Sequence, residues 1–119
     1  MQHWTPVHLR DRLAQSQPPF LLDVRQPWEF EICRLPGSRL IPMHQVPDAL
    51  SSFDPSIEIV VICHHGVRSR QVARFLESHG FQNVINLEGG LHAWIQDVDP
   101  HMPAYRSYRQ SDEMPGHAR

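Results

Sequence analysis

Residues 57–79 hold the feature that most limits how this chain can fold. Ile57, Ile59, Val60, Val61 and Ile62 form a β-branched run, which suits a strand buried on both faces. Val72, Ala73, Phe75 and Leu76 follow at helical spacing, with Arg70, Arg74 and Glu77 turned away and an Arg–Glu pair at i,i+3. Between strand and helix stands the loop Cys63-His64-His65-Gly66-Val67-Arg68-Ser69, in which Arg68 and Ser69 open the helix. A strand–tight loop–helix turn aims several backbone N–H groups into one small concavity at the positive end of a helix dipole. A cysteine at the mouth of such a concavity is expected to be a thiolate near neutral pH, because a helix N-terminus and neighbouring cations stabilise the charged form.

The flanking chain repeats this alternation on a smaller scale. Thr5-Pro6 reads as an N-cap and first helical position, with Val7, Leu9, Leu13 and Ala14 on one face and Ser16-Gln17-Pro18-Pro19 as the stop. Residues 20–24 form a short apolar run that predicts a buried strand, with Arg25 just past its end. Pro27 starts a turn of helix, residues 35–38 form a turn, and residues 39–41 predict a brief strand stopped by Pro42. Residues 46–50 predict a short helix and 84–87 another strand. Gly80 reads as the C′ residue of the central helix. Gly89-Gly90 is a turn before a short helix carrying Leu91, Trp94 and Ile95. Short strands alternating with helices argue for an α/β layer fold with a largely parallel sheet. From Ser107 onward the chain is polar, so a domain over 1–106 and a flexible tail over 107–119 are expected.

Bulk properties narrow the function. A chain of 119 residues allows one domain with one core. A net charge of −2 with histidine neutral argues against a broad nucleic-acid surface. No apolar run approaches the roughly 20 residues needed to span a bilayer, and no basic segment followed by an apolar stretch marks a leader. Cys33 and Cys63 do not make a disulfide scaffold. A cytoplasmic protein with two reduced thiols is the expectation.

A lone cysteine after a strand is most often a packed small apolar residue. Here Gly66, Arg68 and the helix start together favour a reactive thiolate. Arg68 can lock the loop by bonding its carbonyls, or meet an anion directly.

The pattern Cys63-x-x-Gly66-x-Arg68-Ser69 resembles the active-site loop of the rhodanese, or thiosulfate sulfurtransferase, family. The resemblance extends over about residues 5–105. Leu22-Asp23-Val24-Arg25 with Trp28-Glu29-Phe30, Leu35-Pro36-Gly37-Ser38, Ile41-Pro42, and Val84-x-Asn86-Leu87-x-Gly89-Gly90-x-x-Ala93-Trp94 are similar to the family's other segments, in the same order. The resemblance implies a rhodanese-like α/β fold with a mostly parallel five-stranded sheet flanked by helices on both faces. It implies sulfur transfer in which Cys63 attacks the sulfane sulfur of a donor such as thiosulfate, carries it as a persulfide, and passes it to cyanide, a thiol or a protein acceptor. His64, His65, Gly66, Val67, Arg68 and Ser69 would surround the anion with N–H groups. Arg25 matches a family arginine that approaches substrate; a structural ion pair with Asp23 or Glu29 is its other reading. No cofactor is implied. The loop has four residues between Cys63 and Arg68, one fewer than in the related dual-specificity phosphatases and arsenate reductases, which favours one sulfur atom over a tetrahedral oxyanion. A persulfide-carrying or regulatory interaction module with weak turnover is the alternative within the same family.

Three departures carry expectations. Cys33-Arg34 stands where the family often has Gly-His, which adds a second thiol, read as a packed small residue or as a partner resolving Cys63. His64 and His65 stand where thiosulfate-preferring enzymes commonly carry cations, so thiosulfate is expected to be a weak donor that improves below about pH 6.5 as the imidazoles charge. No metal is expected, because adjacent side chains in a tight loop should splay apart.

Overall fold

The computed structural model describes residues 1–106. The expected flexible tail at 107–119 lies outside the described residues. Five strands, β1 (Gln2–Trp4), β2 (Phe20–Asp23), β3 (Arg39–Leu40), β4 (Glu58–Ile62) and β5 (Asn83–Leu87), form a sheet in the order β1-β5-β4-β2-β3 among the described residues. Every pairing is parallel, so the sheet is wholly rather than mostly parallel. The helices are α1 (Pro6–Leu13), α2 (Pro27–Ile32), α3 (Val46–Ala49), α4 (Val67–Ser78) and α5 (Gly90–Asp97). Short 3-10 turns flank α3 at Met43–Gln45 and Leu50–Ser52.

The sequence sets which strand lies in the middle. In β4, Ile59, Val60, Val61 and Ile62 have no exposed surface, because β4 is hydrogen-bonded to β2 and β5 and covered on both faces. Complete burial of an aliphatic side chain contributes about 1.5–3 kcal/mol each. Side-chain alternation divides these residues between two cores. Ile59, Val61 and Cys63 pack with Leu22, Val72 and Leu76 beneath α4. Val60 and Ile62 pack with Leu9, Ile85, Leu91 and Trp94 beneath α1 and α5.

Helix starts follow their sequence signals. The Thr5 hydroxyl accepts from the His8 N–H at 3.2 Å, and Pro6 occupies the first turn. Strand β1 has no counterpart in the sequence reading. It is three residues at an edge with only Trp4 buried, so no period of two was available, and its partner β5 defines it.

Candidate active site

Strands β4 and β5 point their carboxyl ends at the same place, where an open parallel sheet presents its ligand crevice. Cys63 follows β4 directly. Gly66 caps α4 with φ of 93°, a left-handed conformation that favours glycine, and it turns its N–H back to Cys63 Sγ at 3.0 Å. Cys63 Sγ donates to Ser69 Oγ at 3.2 Å, and Ser69 Oγ in turn donates to Asn86 Oδ1 on β5.

The loop's outward carbonyls are satisfied by a second helix. Leu91 N–H donates to the Cys63 carbonyl and His92 N–H to the His64 carbonyl, both at 2.9 Å. Gly90 permits this approach: a Cβ there would lie 2.4 Å from the Cys63 oxygen and 2.5 Å from the His64 oxygen. With the carbonyls held from outside, the Gly66 amide is free to face the sulfur. Cys63 is only 1% exposed, yet it lines a cavity of about 410 Å³ with His64, His65, Val67 and Arg68. Of the amides of residues 64–69 expected to converge on the sulfur, the Gly66 N–H does so, and the sulfur borders this cavity. A larger hollow of about 740 Å³ lies at the amino ends of β2 and β4, beside Phe20, Ile57 and Glu58, away from the thiol.

Arg68 departs from both of its sequence readings, whereas Arg25 follows one of its two. Arg68 makes a two-point ion pair with Glu29 of α2, at 2.7 and 2.9 Å, instead of bonding loop carbonyls or facing an anion alone. Arg25 has no exposed surface. Its guanidinium donates to Asp23 at 2.7–3.1 Å, to the Cys33 carbonyl at 2.7 Å, to the Glu29 carbonyl at 3.3 Å and to Tyr105 Oη at 2.9 Å. The ion pair with Asp23, one of its two sequence readings, is thus present, while a substrate contact would first require Tyr105 to leave. Burial opposes the Arg25 charge, but Asp23 and Tyr105 outweigh it and its pKa is raised.

Glu29 enters the sequence reading only as a partner for Arg25 and within Trp28-Glu29-Phe30, and Tyr105 does not enter it as a site residue. Tyr105 Oη donates to Glu29 Oε2 at 2.9 Å, and its ring lies 4.2 Å from that of His64. Burial raises the Glu29 pKa, but Arg68, the Gln26 N–H and Tyr105 lower it further, so the carboxyl titrates below its ordinary range. No local signal marks Tyr105, which is distant in sequence from both partners.

Cys33 is buried in the core on the opposite sheet face from Cys63, and both are free thiols. That position fits a packed residue. Burial raises the Cys33 pKa.

The two loop histidines correct two expectations. Burial, reinforced by His65, holds His64 at about 4, and burial with His92 lowers His65. His64 therefore stays neutral at pH 6.5 and His65 charges only at more acid pH than a free imidazole, which moves the expected improvement with thiosulfate to lower pH. Nor do the rings splay. His64 and His65 lie 4.1 Å apart, and His92 of α5 joins them at 4.9 Å from His65.

Comparison with known proteins bears on the fold as a whole. The family described as Rhodanese-like domain matches residues 5–97. The chain is 35% identical to a sulfurtransferase of Allochromatium vinosum, over 74% of this chain and 82% of that one. It is 44% identical to the rhodanese-like/PpiC domain-containing protein 12 of Arabidopsis thaliana, over 71% of this chain but 30% of that protein. The matched stretch is likewise 22% of a Drosophila ananassae adenylyltransferase and sulfurtransferase, so the chain spans less than a third of these two longer relatives. A rhodanese-like domain protein from Staphylococcus aureus superposes with a TM-score of 0.77 at 35% identity, covering 89% of this chain and all of that one.

Proposed function

Because the chain belongs to the rhodanese-like domain family, we propose that it is a sulfurtransferase that moves a sulfane sulfur through a persulfide on Cys63. The Cys63 thiolate attacks the outer sulfur of thiosulfate. The S–S bond of the donor breaks and its electron pair leaves with sulfite. The new persulfide anion is held by the Gly66 N–H and the Ser69 hydroxyl, whose proton can rotate toward it. A thiophilic acceptor then attacks the outer sulfur, and cyanide would leave as thiocyanate with the Cys63 thiolate regenerated.

The observation that carries this reading is the Gly66 amide 3.0 Å from a sulfur that lines a cavity at the carboxyl end of β4. Val67 and Arg68 bound that cavity, and the Glu29 pair fixes Arg68. The Arg68 charge is already paired with Glu29 and burial keeps His64 neutral, which favours a donor less anionic than thiosulfate as the better substrate. The proposal includes a cytosolic setting, where both thiols stay reduced. Among the described residues no helix is long and apolar enough to cross a membrane.

Incubation with thiosulfate and then cyanide, followed by intact mass, tests it. One added sulfur on the wild-type chain, absent in Cys63→Ser and lost as thiocyanate, is the expected result. An unchanged mass with every sulfane donor tried overturns the reading. The 1% exposure of Cys63 favours a second reading, a persulfide carrier that loads slowly and delivers to a protein thiol. It predicts the same adduct but little multiple turnover with cyanide.

A further inference from the structure

The histidine cluster at the mouth is not used by sulfur transfer. His64 and His65 are adjacent in the loop, and His92 sits in the first turn of α5, where its own N–H is tied to the His64 carbonyl. One ring nitrogen from each lies within 4.8 Å of the other two. Metal–nitrogen bonds of about 2.0–2.1 Å at a tetrahedral angle put nitrogens about 3.3 Å apart, so rotation of the two exposed rings, His65 and His92, closes the triangle. A second observation points inward. His64 Nδ1 is buried and has no hydrogen-bond partner among the described residues, although buried polar atoms are ordinarily paired.

We propose that His64, His65 and His92 form a three-nitrogen site for a divalent transition-metal ion of the zinc class, and that an ion bound there closes the route to Cys63. Imidazole nitrogens suit Zn²⁺, Cu²⁺ and Ni²⁺, and exclude Ca²⁺ and Mg²⁺, which take oxygen. Three protein ligands leave a fourth position open to water or to a sulfur donor. His64 and His65 line the same cavity as Cys63, so the ion would stand in the wall of that cavity. The blocking role rests on the sulfur-transfer reading; the binding itself does not.

Titration of the full chain with ZnCl₂ by calorimetry, and with CoCl₂ by visible absorption, tests binding separately from activity. The expected result is one ion per chain with a Kd of about 10 μM or tighter, and a Co²⁺ spectrum of low-symmetry nitrogen coordination without thiolate charge-transfer bands. His92→Ala and His92→Gln, both at an exposed position, should weaken binding roughly 10–100-fold, while Cys63→Ser should bind as wild type does. Wild-type affinity in both His92 variants, loss of binding in Cys63→Ser, or no binding by the wild type would each overturn the site. Where binding holds, Zn²⁺ should slow persulfide formation in the wild type and a chelator should restore it. Unimpeded loading of the Zn²⁺-saturated protein would overturn the blocking role.

Discussion

Glu29 is the residue at which the charges of the site meet. It is 1% exposed, yet it receives Arg68 at two points, the Gln26 N–H at 2.9 Å and the Tyr105 hydroxyl. Its pKa is lower in the fold than the ordinary glutamate value of about 4.3. The unfolded chain therefore takes up a proton first as pH falls, and ΔG of unfolding declines with it. The stability from this group is present above the unfolded pKa and is lost as pH falls through the folded one. The urea midpoint is expected to drop from pH 5 toward pH 3, and Glu29→Gln should flatten that slope while lowering the midpoint at pH 7. The cost at pH 7 should sit near the low end of the about 3–5 kcal/mol for breaking a buried pair, since Arg68 is part exposed and water can solvate it. Equal slopes in the two proteins would remove Glu29 from the acid limb. Cys33→Ala makes the opposite test. Cys33 lies across the sheet from Cys63, so the variant should keep most sulfur-transfer activity and lose about 1 kcal/mol or less of stability from a small cavity. Near-total loss of activity would mean that Cys33 resolves the persulfide.

At the scale of elements, the loop after β4 depends on how closely α5 can approach it. Gly37 and Gly90 both have positive φ, 81° and 61°, but a Cβ on Gly37 meets nothing within 4 Å whereas one on Gly90 strikes two loop carbonyls. Gly37→Ala should cost about 1–2 kcal/mol for the left-handed backbone and leave persulfide formation unchanged. Gly90→Ala should cost more and slow persulfide formation roughly tenfold or beyond, because α5 must back away and release the Cys63 and His64 carbonyls. Equal behaviour of the two variants in thermal unfolding and in the rate of loading would show that the α5 contact is dispensable. The same contrast explains what was legible beforehand. The β-branched run of β4, the amphipathic face of α4 and the Cys63–Ser69 spacing are local patterns, and they stood in the sequence. The partner of Arg68, the engagement of Arg25 with Tyr105, the meeting of His92 with the loop and the edge strand β1 are pairings between distant segments. Each exists only once the parallel strands bring their carboxyl ends together, so no window of residues could display it.

At the scale of the whole molecule, the chain after α5 returns to the site and binds it to the rest of the domain. Tyr105 lies beyond the matched family stretch, yet its hydroxyl accepts from Arg25 Nη1 and donates to Glu29 Oε2, both at 2.9 Å. Its ring lies against His64 and meets Trp28 edge-on at 5.8 Å. Burial raises the Tyr105 pKa against the pull of Arg25, so the hydroxyl keeps the proton it donates. The segment thereby joins the α2 carboxylate, the buried Arg25–Asp23 pair and the active-site loop. Tyr105→Phe keeps the ring and removes the hydroxyl from two charged partners, for which about 1.5–3 kcal/mol per bond is the upper range. Water entering the partly open site should recover some of this, leaving a loss of about 1–2 kcal/mol. That is a drop of roughly 4–8 °C in Tm for each kcal/mol in a domain of this size. Tyr105→Ala also removes the ring over His64 and should cost more, while opening the cavity and speeding loading by small sulfur donors. An unchanged Tm in Tyr105→Phe would mean that the segment merely rests on the surface. Slower loading in a folded Tyr105→Ala would mean that the ring helps to bind the donor rather than restricting its entry.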